Sequence, residues 1–212
     1  VDELDRISER LQCGDHHAVA ALVAGAIAAG VPATAILERG LLAGMDIVGR
    51  RFGAHEIFLP EVLLAARAMK AGMELVKPRL VAGAAPSRGT VVLGTVKGDV
   101  HDIGKNLVGI MLEGAGFEVV DLGTGVAADA FVETAVTRGA SVIGLSALLT
   151  TTMGGMGEVV DRLRERDPER RVKVIVGGAP LSQAFADEIG ADGYSWDAAG
   201  AVELVKRLLR AA

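Results

Sequence analysis

One histidine in this chain sits among residues that could put it to chemical use. His101 lies in the run Gly94-Thr95-Val96-Lys97-Gly98-Asp99-Val100-His101-Asp102-Ile103-Gly104-Lys105, with Asp99 two residues before it and Asp102 directly after. A metal-ligating imidazole puts one ring nitrogen on the metal and usually gives the other to a carboxylate, which fixes the tautomer and raises the basicity. Asp99 is spaced for that task. A His-Asp pair in a loop reads equally well as a structural histidine that caps or hydrogen-bonds, so the pair alone leaves both roles open. Cys13 is the only cysteine, and no three-residue zinc set surrounds His101 in the sequence. A metal held through one protein ligand would have to arrive in a macrocycle that fills its other positions, which points to a haem or a corrinoid. Two further groups belong with His101. Ser146-Ala147-Leu148 is followed by the polar run Thr150-Thr151-Thr152, and Gly177-Gly178 leaves backbone open to close approach by a ligand.

These residues need elements to bring them together. From Asp2 to about Leu80 the apolar spacing is helical, beginning with Leu4, Ile7 and Leu11. Gly14-Asp15 ends one helix and caps the next, which carries Val19, Leu22, Val23 and Ile27 and stops at Gly30. A third segment runs from Pro32 to about Phe52, with Leu41, Met45, Val48 and Phe52 on one face and Gly40, Gly44 and Gly49 within it. Glycines inside a helix cost ~1 kcal/mol each relative to alanine, so they read as close approach to a neighbouring helix or a ligand, or as local fraying. A fourth starts at Pro60, with Val62, Leu63, Ala66, Met69, Met73, Val76 and Leu80 as its expected stripe. Four helices with short connections make a bundle.

The small-residue stretch Val81 to Arg88 marks a domain boundary, giving a bundle over 1–85 and a second domain over 86–212. Strands and helices then alternate, with strands expected at 90–96, 117–121, 141–146, 172–176 and near 193–194. Continuous apolar strands of this kind belong in a parallel sheet covered on both faces. The fold class is therefore α + α/β, a four-helix bundle followed by a doubly wound, Rossmann-like or flavodoxin-like sheet of five strands. Its loops at 97–104, 123–127, 147–155 and 177–181 all leave the carboxyl edge of that sheet, where His101, Ser146 and Gly177-Gly178 converge.

Composition narrows the partners. A net charge of −5 and only 3% aromatic residues supply neither a basic footprint nor stacking platforms, so no nucleic acid and no anionic membrane surface is expected as a partner. The apolar stretch Ala18 to Ala29 is too short for a bilayer, and no signal peptide is evident, which with the single cysteine points to a cytoplasmic protein. Gly94 to Gly104 lacks P-loop spacing, so nucleotide hydrolysis is not expected. His16 and His17 read as a solvated helix terminus, and Cys13 as an inert helix-end residue.

Asp99-Val100-His101-Asp102-Ile103-Gly104 matches the D-x-H-x-x-G motif of cobalamin-binding domains, Ser146-Ala147-Leu148 their S-x-L element and Gly177-Gly178 their glycine pair. In the first half, Gly44-Met45, Val48-Gly49, Phe52, Phe58-Leu59-Pro60-Glu61 and Ala68 to Gly72 resemble the same family. The chain resembles the corrinoid proteins of methyltransferase systems, the carriers for methylamines, methanol and methoxylated aromatics, and the cobalamin-binding module of methionine synthase.

The resemblance implies cobalamin, as methylcobalamin or another corrinoid, bound between bundle and sheet edge with its own lower base displaced and His101 as the lower cobalt ligand. Asp99 and Ser146 would complete a His-Asp-Ser relay. Gly104, Ser146 and Gly177-Gly178 would line a channel for the nucleotide tail, and Gly98, Val100, Asp102, Ile103, Leu148, Thr150 and Met45 would contribute to the cofactor site. The bundle would shield the methyl-bearing face, and Trp196 could cover the buried tail. Such a protein is a cofactor-bearing subunit. It carries a methyl group between a substrate-specific methyltransferase and an acceptor methyltransferase, with a reductive activation protein as a further partner. A cobalamin-dependent sensor is the alternative. A mutase subunit would leave the bundle unexplained, and a cofactor-free flavodoxin-like module would leave the three motifs coincidental.

Overall fold

The computed structural model describes residues 2–80 and 88–210. The chain divides into two compact units, Val1–Ser87 with Gly114–Gly116 and Arg88–Glu113 with Phe117–Ala212. The stretch Val81 to Arg88, where the sequence puts the boundary, lies outside the described residues except for Arg88.

In the first unit, α1 (Glu3–Gln12) leads through Gly14 to α2 (His16–Ala28), and Asp15 caps α2 by accepting from the Ala18 amide at 3.0 Å. The third helical segment is interrupted. It comprises α3 (Ala33–Ala35), a π-helical stretch (Ile36–Leu42) and α4 (Ala43–Gly53). Two of its glycines, Gly40 and Gly44, answer to a neighbouring helix. A Cβ on Gly44 would stand 3.1 Å from the backbone of Ser8, and one on Gly40 3.1 Å from Ile7, so both let α1 approach. The fourth helix, α5 (Leu59–Val76), starts with Pro60 in its first turn, and Glu61 accepts from the Phe58 amide at 3.2 Å. Its buried stripe is Val62, Ala65, Ala68, Met69, Gly72 and Val76, whereas Leu63, expected in the core, is exposed.

The second unit has five parallel strands, β1 (Thr90–Thr95), β2 (Glu118–Asp121), β3 (Val142–Ser146), β4 (Lys173–Gly177) and β5 (Gly193–Ser195), in the order β2-β1-β3-β4-β5. The helices between and after them are α6 (Ile103–Gly114), α7 (Ala128–Arg138), α8 (Gly154–Arg166), α9 (Gln183–Ile189) and α10 (Ala198–Arg210). The chain reverses its direction of winding between β1 and β3, and in such sheets ligands bind in the crevice outside the carboxyl ends at that switch.

Strand alternation assigns the two faces. Val92, Ile143, Leu145, Val174 and Val176 pack with Phe131, Met156 and Val160 into a buried core. Gly94 makes room there, because a Cβ on it would lie 2.7 Å from the Phe131 ring. The residues between them, Leu93, Gly144, Ile175 and Gly193, face the opposite side. A Cβ on Gly193 would collide with Leu204 at 2.9 Å, so its absence lets α10 close on the sheet. Register then lines up Thr95, Ser146, Gly177 and Ser195 along the carboxyl edge, each paired with the next. No helix among the described residues is long and apolar enough to cross a membrane.

Candidate functional site

The loop after β1 is a tight turn. Asp99 donates its amide to the Val96 carbonyl at 3.1 Å, and Gly98 takes φ +85°, a left-handed conformation that suits glycine. The Asp99 carbonyl accepts from the Gly125 amide at 3.0 Å, tying this loop to the one after β2. The turn sends the Asp99 carboxylate inward, where it has no solvent exposure.

Five donors converge on that carboxylate. Oδ1 accepts from the His101 amide at 3.1 Å and from His101 Nδ1 at 2.7 Å. Oδ2 accepts from the amides of Leu148 at 2.7 Å and Leu149 at 3.2 Å, and from Thr152 Oγ1 at 2.9 Å. Burial alone would push the carboxyl up. The Leu148 amide, the amide and ring of His101 and the Thr152 hydroxyl outweigh it and hold Asp99 well below the usual carboxylate range. An ionised carboxylate only accepts, so the His101 ring carries a proton on Nδ1 and donates it to Oδ1. Thr95 Oγ1 donates to the His101 carbonyl at 2.9 Å and fixes the backbone beneath the ring, while nearly half of the side chain is open to solvent. Among the described residues nothing hydrogen-bonds to Nε2, and no group of three His, Cys, Asp or Glu could hold a metal ion.

Beside His101 a cavity of about 520 Å³ opens on the α6/α10 face of the sheet. The sequence explains why it is there. Gly144 brings no side chain into the middle of that face, and Ala198 and Ala201 keep α10 thin where it passes. Gly104 stands at the cavity with open space where a Cβ would be. Gly178 is different. It sits at φ +143°, and a Cβ on it would lie 1.8 Å from the Ala147 carbonyl oxygen, so its need for glycine comes from the neighbouring loop rather than from a ligand's space. Gly177, at the end of β4, lines the cavity.

Ser146 stands apart from the relay expected of it. It shares the cavity face with Gly144 by strand alternation and lines the cavity, and it is not among the donors to Asp99. Thr152 holds that place instead, because the turn after β3 brings its hydroxyl back to Oδ2. Thr150, chosen from the same polar run, is exposed and makes no hydrogen bond to these residues. Val100 and Ile103 are 75% and 81% exposed, apolar side chains standing beside His101 at the sheet edge. Asp102 caps the start of α6, its carbonyl accepting from the Asn106 amide at 2.7 Å. Met45 is buried in α4.

Sequence reasoning missed Lys105. Its Nζ is buried and contacts both oxygens of Asp121 at 2.6 and 2.7 Å and Oδ1 of Asn106 at 2.7 Å, which ties the first turn of α6 to the end of β2. A signal was present. A lysine in the first turn of a helix opposes the macrodipole and calls for a carboxylate partner.

Comparison with known proteins decides what this arrangement belongs to. Residues 89–203 match the family model described as the B12 binding domain, and residues 3–77 match a second model of the same description. The chain belongs to the B12-binding family. A corrinoid protein of Desulfitobacterium hafniense (strain Y51) is 43% identical over 209 residues, covering 97% of each chain. The dimethylamine corrinoid protein 1 of Methanosarcina mazei is 47% identical over 207 residues, covering 97% of this chain and 95% of that one. Among solved structures, the methanol:cobalamin methyltransferase complex MtaBC from Methanosarcina barkeri superposes with a TM-score of 0.87 at 32% identity, covering 99% of this chain and 80% of the matched one. A cobalamin-binding protein from Desulfitobacterium hafniense DCB-2 gives 0.79 at 33%, covering 97% and 98%.

This B12-binding chain is thus a corrinoid protein akin to those of methyltransferase systems. Its own residues suit the group. A single imidazole with Nε2 unengaged could ligate a metal whose other positions a macrocycle fills, and the largely apolar cavity beside it, lined in part by glycines, would have room for an appended tail.

Proposed function

We propose that this chain carries methyl groups. It would bind cobalamin with the cofactor's own lower base displaced and His101 Nε2 in its place, and pass a methyl group from a substrate-specific methyltransferase to an acceptor methyltransferase. A reductive activation protein is a further proposed partner. One observation carries the reading: Asp99 grips Nδ1 at 2.7 Å and leaves Nε2 unengaged on a ring that lines the cavity.

A bound corrinoid supplies the cobalt on which a methyl group is accepted and released. The protein's part is to hold the lower ligand and the tail. Asp99, kept anionic by the Leu148 amide, the amide and ring of His101 and the Thr152 hydroxyl, holds the proton of the His101 ring at Nδ1. Asp99, itself held by Thr152 and the amides of Leu148 and Leu149, would keep the imidazole in the orientation that a lower ligand needs. Ser146, Gly104 and Gly177 line the space for the displaced tail. Gly98, Val100, Asp102, Ile103, Leu148 and Gly178 shape the loops around His101.

Reconstitution with methylcobalamin tests the assignment. The loaded protein should show the visible spectrum of a histidine-ligated corrinoid, and His101→Gly should shift it to that of the form without a lower ligand. An unchanged spectrum would remove the axial role. A protein that stays colourless would remove the whole reading.

A further inference from the structure

Trp196 is the only tryptophan in the chain, and it lies 76% exposed. A large apolar ring left open is informative when it borders a cavity, and Trp196 is one of the residues lining the cavity beside His101. It is the first residue after β5, immediately beyond Ser195, which ends the row of edge residues running through Ser146 and Gly177. The turn that presents it is held firmly. Ser195 Oγ donates to the Asp197 carbonyl at 2.7 Å, and Asp197 Oδ1 accepts from the Gly200 amide at 2.7 Å as α10 begins. A Cβ on Gly200 would lie 2.7 Å from Ser195 Oγ, so the helix start is packed directly against this turn.

Away from His101 and the polar residues at the loop ends, the cavity wall is aliphatic or small, with Leu93, Val108, Gly144, Ile175 and Ala201 among its members. Such walls exclude water from a flat ring but offer it no aromatic face. Trp196 offers one, at the rim. Resting on the proposed displacement of the corrinoid's lower base, we infer that Trp196 stacks on that base, a flat aromatic heterocycle at the end of the nucleotide tail, and so selects corrinoids that carry one. Trp196 is then a specificity-determining residue for the tail and takes no part in ligating the metal. Indole favours such stacking because its large face gives up exposed apolar area and meets the π-face of any planar base.

The test compares cobalamin with cobinamide, which has the same corrin and cobalt but no nucleotide tail. Affinities are measured by visible absorbance for the whole chain and its Trp196→Ala and Trp196→Phe variants. Trp196→Ala should weaken cobalamin binding on the order of 10-fold, as expected for loss of one stacked base. Cobinamide binding should stay within about two-fold, and Trp196→Phe should recover most of the loss. The ligation spectrum set by His101 should be the same in all three proteins. Equal weakening toward both corrinoids, or no weakening toward either, would overturn the inference while leaving the methyl-carrier reading in place. Failure of the unaltered chain to bind either corrinoid would instead remove that reading, and the inference with it. The side chain is exposed, so the variants should fold, and matching thermal unfolding curves check this.

Discussion

Two buried aspartates at opposite edges of the same sheet meet very different surroundings. Asp99, after β1 on the carboxyl edge, has five hydrogen-bond donors on its two oxygens. Asp167, before β4 on the amino edge, is also buried. Its Oδ2 accepts from the Val172 amide at 2.7 Å, but its Oδ1 has no hydrogen bond among the described residues and only an ion pair with Arg171 Nε at 3.5 Å. The donors differ in origin as well. Those of Asp167 come from its own loop, within five residues. Three of the five on Asp99 come from the loop after β3, about fifty residues further along. A carboxylate satisfied locally closes a turn. One satisfied by two strands' loops locks those loops together, and here it positions a histidine in doing so.

If that contrast is right, Asp99→Asn should be the most damaging of the corresponding changes. An amide in place of the carboxylate turns an NH2 toward groups that are themselves donors, and the cost should be about 3 kcal/mol in urea unfolding. A cost below about 1 kcal/mol would show that the two loops hold their places without it. The effect has a pH signature. Asp99 is held below its unfolded value, so its contribution is fully present above about pH 4 and fades as the pH falls through the folded value. The stability gap between the unaltered protein and Asp99→Asn should therefore be constant near neutrality and narrow below about pH 4.

Smaller effects separate the two hydroxyls. Thr152→Val removes a donor to Oδ2 and should cost about 1 kcal/mol, with Thr152→Ser restoring most of it. Ser146→Ala should change stability by less than about 0.5 kcal/mol, since its hydroxyl faces the cavity. Equal losses from Thr152→Val and Ser146→Ala would refute the assignment of Thr152 to Asp99. The mildest change is expected at the other edge. Asp167→Asn should cost no more than about 1 kcal/mol, because one oxygen already lacks a hydrogen bond and the other can still accept from Val172.

Much of this was legible in the sequence, for a reason that varies with the residue. Hydrophobic period and glycine and proline punctuation are local, so the five strands and the helices between them fall within a few residues of where the pattern puts them. The Asp99–His101 pair was legible because two residues of separation in one loop bring carboxylate and ring together with little help from elsewhere. The Lys105–Asp121 pair was harder. Its partners lie on different elements, and the only local sign was a lysine placed against a helix dipole. The π-helical stretch within the third helical segment was foreshadowed only by its glycines, since the choice between α and π winding depends on how closely α1 packs against them.

By itself, then, the sequence determined the element order, the carboxyl-edge loops, the histidine and its carboxylate, because each depends on neighbours along the chain. Only the tertiary structure decided which hydroxyl completes the hydrogen-bonded group. Strand alternation turns Ser146 to the cavity face, and the turn after β3 returns Thr152 to Asp99, a closure no spacing rule specifies. It also decided why Gly178 is glycine, since a Cβ there would run into the Ala147 carbonyl, while Gly177 lines the cavity. Distances between loops follow from sheet register, and register is fixed by packing across the whole unit.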